Sequence, residues 1–178
     1  MRIHICGIYG SGKSTLANIL SKEFKIKNYE LDDLKYKVKF SKIRLVRERI
    51  SLLKKICAGK NWIVEGPWSD YALVSFKKAD IVIIMKTSRL VCSYRILKRH
   101  FSRNKLEKDS LKTNLKLIKS VFKYYHSKEP VSFYAHKELI KKLNKNYIII
   151  KKKSQIPGVI DLVKMVQNDL IKVKRIKK

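Results

Sequence analysis

The chain has 178 residues, 45% of them hydrophobic, enough for one full core and too few to favour a second independent domain. No run of about 18 apolar residues occurs, which excludes a membrane-spanning helix. The net charge of +29 raises encounter rates with anions, and nucleotides and nucleic acids both qualify. Most of that charge is lysine scattered through nearly every segment, with only nine arginines, so the excess reads either as a solvated surface or as a true polyanion surface. Cys6, Cys57 and Cys92 are odd in number and unpaired in spacing, which argues for reduced thiols in a cytoplasmic protein and against a zinc site. The first strand starts at the N-terminus, and on that ground no signal peptide is expected.

Residues 2–6 form a short, largely apolar run suited to a buried strand. Gly7-Ile8-Tyr9-Gly10-Ser11-Gly12-Lys13-Ser14 follows it and fits the phosphate-binding pattern G-x-x-x-x-G-K-[ST] at every fixed position. A helix is then predicted from Lys13 to about Phe24, with Leu16, Ala17, Ile19 and Leu20 at helical spacing. A polyphosphate can be wrapped closely only by backbone N–H groups, which explains Gly7, Gly10 and Gly12. The helix start adds unpaired N–H groups and a positive dipole end. The loop therefore predicts an ATP cradle made of Gly7, Tyr9, Gly10, Ser11, Gly12, Lys13, Ser14 and Thr15. Lys13 supplies a point charge for the β and γ phosphates, and the Ser14 hydroxyl is the expected Mg²⁺ ligand.

A second strand is expected around residues 29–31, running into Glu30-Leu31-Asp32-Asp33. Side chains two apart on a strand share a face, so Glu30 and Asp32 are expected to point the same way, and Asp33 reads as an N-cap. Strand ends on this side of an α/β sheet lie beside the phosphate loop. Asp32 is accordingly the candidate general base or acceptor ligand, and Glu30 the candidate holder of metal-bound water. Residues 34–58 read as one amphipathic helix with Ile43, Val46, Ile50, Leu53 and Ile56 on its apolar stripe. Arg44, Arg47 and Arg49 accompany that stripe, one of them a candidate for a substrate phosphate, and Gly59 is a natural stop.

The third strand, residues 61–66, breaks at Gly66-Pro67. Glu65 is the one acid in that apolar run: it accepts Mg²⁺ water, lies near Lys13, or forms a structural ion pair. Trp68 either stacks on an acceptor or packs. Residues 79–86 read as a fourth, fully buried parallel strand. It resembles a Walker B run, except that Met85 and Lys86 stand where an acid is expected, so a metal carboxylate must come from Asp32, Glu30 or Glu65. A helix after Ser88 carries Arg95 and Arg99 four apart, hence on one face, as candidates for neutralising a transferring phosphoryl group. Beyond Arg103, residues 104–110 are polar. Leu111, Leu115, Ile118 and Phe122 mark another amphipathic helix, and Glu129-Pro130 breaks the chain before a helix reaching Leu143. Residues 147–150 are a fifth strand. Pro157-Gly158 precedes a last helix with Val159, Leu162, Val163 and Val166 inward, and residues 172–178 form a basic tail.

Strands alternating with helices behind a phosphate loop predict a parallel sheet covered on both faces. The loop, Tyr29-Glu30-Leu31-Asp32-Asp33-Leu34, Trp62-Ile63-Val64-Glu65-Gly66, Ala79-Asp80-Ile81-Val82-Ile83 and Tyr94-Arg95-Ile96-Leu97-Lys98-Arg99 together resemble the adenylate-kinase-like P-loop proteins known as DNA topology modulation proteins. The resemblance covers residues 1–103 best. It implies an α/β three-layer P-loop NTPase sandwich with a five-stranded parallel sheet in the order 2-3-1-4-5, shared with nucleoside monophosphate, shikimate and gluconate kinases. It also implies that Glu30-x-Asp32 positions the acceptor and that Arg95 and Arg99 act as lid arginines. The Gly-x-Pro-Gly form of the loop is absent and no zinc-ligand lid insertion is evident, which argues against AMP as acceptor.

The expectation is thus one kinase-like domain, residues 1–178, with small helical acceptor and lid segments near 34–58 and 100–128. It would bind ATP at the phosphate loop and Mg²⁺ through Ser14, Glu30 and Glu65 and transfer the γ-phosphoryl to a small-molecule or nucleotide acceptor, with Lys13, Asp32, Arg95 and Arg99 as catalytic candidates. The rivals are a nucleic-acid-associated ATP-binding protein and a 5′-hydroxyl polynucleotide kinase.

Overall fold

The computed structural model describes residues 1–38, 42–67, 71–102, 111–129 and 131–167. Expectations about Trp68, Arg103, the polar stretch 104–110, Pro130 and the basic tail lie outside the described residues. Among the described residues no helix is long and apolar enough to cross a membrane.

The first strand, β1 (Arg2–Gly7), is buried from its second residue onwards and forms the middle of a five-stranded sheet. Beside it run β5 (Trp62–Gly66) and β6 (Ile81–Met85), both buried throughout, with β2 (Asn28–Glu30) and β7 (Tyr147–Ile150) at the edges. All pairings are parallel, in the order β2-β5-β1-β6-β7. Counted among the strands of this sheet alone, that is 2-3-1-4-5. Near-continuous apolar runs are what a sheet covered on both faces requires. Alternation along β1 sends Ile3 and Ile5 to the layer containing α1 (Lys13–Phe24) and α8 (Ile156–Gln167). Cys6 goes to the opposite layer, with α3 (Val46–Cys57), α4 (Leu73–Lys78), α5 (Arg89–Ser102), α6 (Leu111–Tyr124) and α7 (Phe133–Lys142).

Three expectations need correction. Residues 34–58 are not one helix. A short α2 (Leu31–Lys35) gives way to a hairpin of β3 (Tyr36–Val38) and β4 (Lys42–Ile43) before α3 begins. Tyr36-Lys37-Val38 alternates with period two and is rich in strand formers, so local pattern favoured the hairpin, and Ile43 and Val46 are exposed rather than inward. Asp33 is not an N-cap, because α2 starts two residues earlier with Glu30 at the cap position. On α6 the core takes Asn114, Val121 and Tyr124, while Leu111, Leu115 and Phe122 face outward. Two stripes fit the helical period there, and the more apolar one is the one left in solvent. Helix α4 had no counterpart in the sequence reading.

Two histidines lie in the core. His4 Nδ1 donates to Ser75 Oγ at 2.9 Å, since that hydroxyl already donates to Ala72 O at 2.8 Å. His136 Nε2 donates to Pro67 O at 3.1 Å and its Nδ1 accepts from Tyr124 OH at 2.9 Å. Both rings are therefore neutral, and burial pushes His4 down to about 3 and His136 to about 4. An unfolded histidine takes up a proton below about pH 6.5. The stability due to these neutral rings is thus full above that value and is lost as pH falls towards 4 and 3. Each ring contributes up to about 1.4 kcal/mol per pH unit across its window. Urea unfolding between pH 7 and 4 is expected to show this slope, and His136→Gln to remove roughly half of the two-histidine part.

Candidate functional site

The loop between β1 and α1 is shaped by what its glycines lack. Gly10 (φ 72°) and Gly12 (φ 97°) are left-handed, and a Cβ on Gly10 would lie 2.5 Å from the Cys92 carbonyl oxygen. Donors from outside hold the loop's carbonyls. Thr87 Oγ1 donates to Ser11 O at 2.8 Å, and an Arg95 Nη donates to Gly10 O and Ser11 O at 3.2 and 3.3 Å. With the carbonyls engaged there, the first-turn N–H groups of α1 remain, and no side chain caps them. Lys13 is buried, its Nζ donating to Ile8 O at 3.1 Å, and among the described residues no carboxylate pairs with it. A buried ammonium held by one neutral carbonyl calls for an anion. Ser11 Oγ is also buried and has no hydrogen-bond partner among the described residues.

The loop opens on a cavity of about 330 Å³. Of the residues singled out from sequence, Tyr9, Gly10, Gly12, Lys13, Ser14 and Thr15 line it, and so do Glu30, Asp32, Glu65, Arg95 and Arg99. Gly7 and Ser11 do not: Gly7 packs against Met85, and Ser11 borders a second cavity. Glu30 and Asp32 reach the same space by a different route than expected, since β2 ends at Glu30 and Asp32 lies in the first turn of α2. Asp33 and Tyr36 line the wall as well. Burial pushes the Tyr9 phenol up to about 12, helped by the negative charge of Asp32 and by Tyr36.

Strand register places Glu65. Ile5 pairs with Glu65 on one side and with Ile83 on the other, so β5 presents a carboxylate at the level where β6 offers Ile83, two residues before Met85. Glu65 is buried and accepts from Ser14 Oγ at 2.5 Å. Among the described residues it has no ion pair, and its contact is with the expected metal ligand.

The arginines separate. Arg99 lines the first cavity alone, whereas Arg95 lies along the loop and borders both. Arg44, Arg47 and Arg49 do not reach the site. Arg44 donates to Asp33 O at 2.9 Å and also to Tyr36 O, fastening the end of α2. Arg49 donates to Arg44 O at 2.9 Å and lies over the Tyr71 ring. Arg47 borders a separate surface cleft with Lys37 and Glu48.

Sequence reasoning missed the second cavity, about 890 Å³, between Thr87, Ser88, Val91 and Arg95 on one side and Lys151, Lys152 and Lys153 on the other. The available signal was position: both lysine-bearing segments directly follow strands β6 and β7, at the carboxyl edge of the sheet.

No family model matches the chain. The uncharacterized protein YqaC of Bacillus subtilis (strain 168) is 32% identical over 105 residues, covering 57% of this chain, and the chain spans 57% of that relative. Among solved structures, shikimate kinase from Acinetobacter baumannii in complex with shikimate superposes with a TM-score of 0.58 at 14% identity, over 97% of this chain and 95% of that one. The shikimate kinase of Aquifex aeolicus gives 0.55 at 17% identity, over 94% and 96%. An uncharacterized protein from Eubacterium ventriosum gives 0.56 at 15%, over 94% and 98%. The fold is that of the shikimate kinases. At these identities the likeness speaks for the five-stranded α/β architecture, and the chemistry has to be argued from the side chains.

Gly10→Ala is expected to cost about 2–4 kcal/mol in thermal unfolding, from left-handed strain and the collision with Cys92 O. Gly158→Ala, in the first turn of α8 with open space around it, is expected to gain about 0.5–1 kcal/mol.

Proposed function

We propose that the chain is a single-domain ATP-dependent phosphotransferase of the P-loop kinase type. The observation that carries this reading is the buried, carboxylate-free ammonium of Lys13, set in a loop whose cavity also contains Glu30, Asp32, Glu65 and Arg99. When bound, Mg·ATP supplies the transferable γ-phosphoryl group. Lys13 and the first-turn amides of α1 balance the charge of the β and γ phosphates. Ser14 is the Mg²⁺ ligand, and Glu65, at 2.5 Å from its hydroxyl, orients that oxygen and receives metal-bound water, assisted by Glu30. Among the described residues no cluster of three His, Cys, Asp or Glu side chains forms a metal cage. That fits Mg²⁺, which is usually held by one or two protein groups plus phosphate oxygens and water.

The second cavity takes the nucleoside. Arg95, between the two cavities, spans base and phosphates, and Arg99 faces the phosphoryl group in transfer. Asp32 accepts the proton of the acceptor hydroxyl as its oxygen bonds to the γ phosphorus and the bond to the bridging oxygen breaks. The acceptor enters between Tyr9, Tyr36, Glu30 and Asp32. Tyr36 brings the segment near 34–58 to that entrance, and Arg99 lies just ahead of the segment near 100–128.

The three cysteines are free and buried, their thiols pushed up by burial, which agrees with work in a reducing cytoplasm. Within this reading the chain stands with the adenylate-kinase-like proteins called DNA topology modulation proteins. The net charge of +29 supports a second reading, in which the acceptor hydroxyl is the 5′ end of a polynucleotide.

A transfer screen with labelled γ-phosphate distinguishes them. It should cover nucleoside monophosphates, hydroxylated metabolites including shikimate, and 5′-hydroxyl oligonucleotides, beside a no-acceptor control. Label is expected on one acceptor class. Lys13→Ala is expected to abolish transfer, and Arg99→Ala to lower turnover roughly 10³-fold while weakening ATP binding far less. Unchanged turnover in Arg99→Ala would contradict its role.

A further inference from the structure

The first cavity is charged unevenly. Its basic lining residues belong to the phosphate loop or to the helix beside it: Lys13 donates to Ile8 O, Arg95 donates to Gly10 O and Ser11 O, and Arg99 follows one turn later on α5. The lining that comes from the end of β2 and the first turn of α2 is acidic, Glu30 with Asp32 and Asp33. The Tyr9 and Tyr36 rings complete that side, and Asp32 and Tyr36 both lie near enough to act on the Tyr9 phenol.

A carboxylate or phosphate on an acceptor needs a base to receive it, and the bases around this acidic side are engaged elsewhere. Arg44 donates to the carbonyls of Asp33, Leu34 and Tyr36, and Arg49 donates to that of Arg44. Lys37 pairs with Glu48 at 3.2 Å. Lys27 and Lys35 stand over the rings of Tyr29 and Tyr36, 5.2 and 5.4 Å from the centroids, and neither lines the cavity. Asp33, three positions after Glu30, forms no ion pair among the described residues. A bound Mg·ATP, itself a net anion, would add to the negative field of these carboxylates. A second anion is repelled by both, whereas an ammonium is attracted by both and by the face of a tyrosine ring.

Within the phosphotransferase reading, on which this rests, we infer that the acceptor is a small hydroxylated amine, an amino alcohol or amino sugar that carries a protonated amino group and no carboxylate or phosphate. Its hydroxyl meets Asp32, and its ammonium lies against Asp33 and Glu30 beside the Tyr9 ring. The hydroxyl oxygen bonds to the γ phosphorus, its proton passes to Asp32, and the electron pair of the broken bond leaves on the bridging oxygen of ADP. The ammonium keeps its proton throughout, so it binds and does not react. A cavity of about 330 Å³ that also receives the phosphates suits a molecule of that size. A polynucleotide end would bring its own phosphates against the same carboxylates.

The test gives the full chain Mg·ATP labelled at the γ phosphate and acceptors matched in skeleton but not in charge: glucosamine, glucose and glucuronate, then serinol, glycerol and glycerate. Shikimate, nucleoside monophosphates and a 5′-hydroxyl oligonucleotide complete the anionic arm. Within a set, kcat/KM is expected to be at least roughly ten-fold higher for the amine than for the neutral member, with the carboxylate at background. Asp33→Asn is expected to cut that advantage roughly three- to five-fold, through KM alone. Its kcat, its transfer to the neutral member and its ATP hydrolysis without acceptor are expected to stay unchanged, and Asp33→Glu to retain the advantage. Equal rates across a set, preference for a carboxylate, label on a nucleotide or oligonucleotide, no label on any amine, or an amine advantage untouched by Asp33→Asn overturns the inference. If Mg·ATP still binds in those cases, the phosphotransferase reading stands. If the unaltered chain does not bind Mg·ATP, that reading falls and this inference with it.

Discussion

The contact on which the site depends is the approach of the loop backbone to α5. Gly10 lies so close to the Cys92 carbonyl that no side chain fits between. That closeness lets Thr87 and Arg95 reach the loop's outward carbonyls. The inward side then consists of the amide end of α1 and the buried Lys13 ammonium. An anion site made this way is preorganised by covalent geometry and packing and does not rely on flexible side chains closing around the ligand. The parallel register of β1 with β5 adds the remaining piece by lifting Glu65 to the Ser14 hydroxyl.

The distribution of acids is the second organising fact. In a chain with 14 acidic residues and a net charge of +29, Glu30, Asp32, Asp33 and Glu65 line one cavity together with Lys13, Arg95 and Arg99. Scattered surface lysines say little about chemistry, whereas carboxylates gathered opposite guanidiniums at a phosphate loop specify where a proton and a phosphoryl group could be handled. The excess positive charge outside the site raises the rate of anion encounter without choosing the anion.

Much of this was legible in the sequence, for physical reasons that vary by element. The loop was readable because only glycine tolerates its geometry, and the buried strands because both faces of a parallel sheet must be apolar. Glu65 was readable as an anomaly, a lone acid in an apolar run, though its partner Ser14 lies 51 positions away and only strand register joins them. The antiparallel pair β3–β4 was missed because a helical stripe could be drawn through it, overriding a period of two that spans few residues. The core face of α6 was misjudged because hydrophobicity alone selects the leucine stripe, whereas tertiary packing buries Asn114, Val121 and Tyr124. Arg44 and Arg49 resembled ligand arginines, and what they hold are backbone carbonyls. The second cavity left no local motif, since it is made by segments more than fifty residues apart that meet only at the sheet's carboxyl edge.

All of these points converge on nucleotide capture, and titration calorimetry of the purified chain with ATP and with GTP, each with Mg²⁺ and with a chelator, tests it most directly. The account requires saturable, stoichiometric binding of a nucleoside triphosphate that weakens when the metal is removed. Heats indistinguishable from dilution for both nucleotides, in an otherwise folded protein, would contradict it.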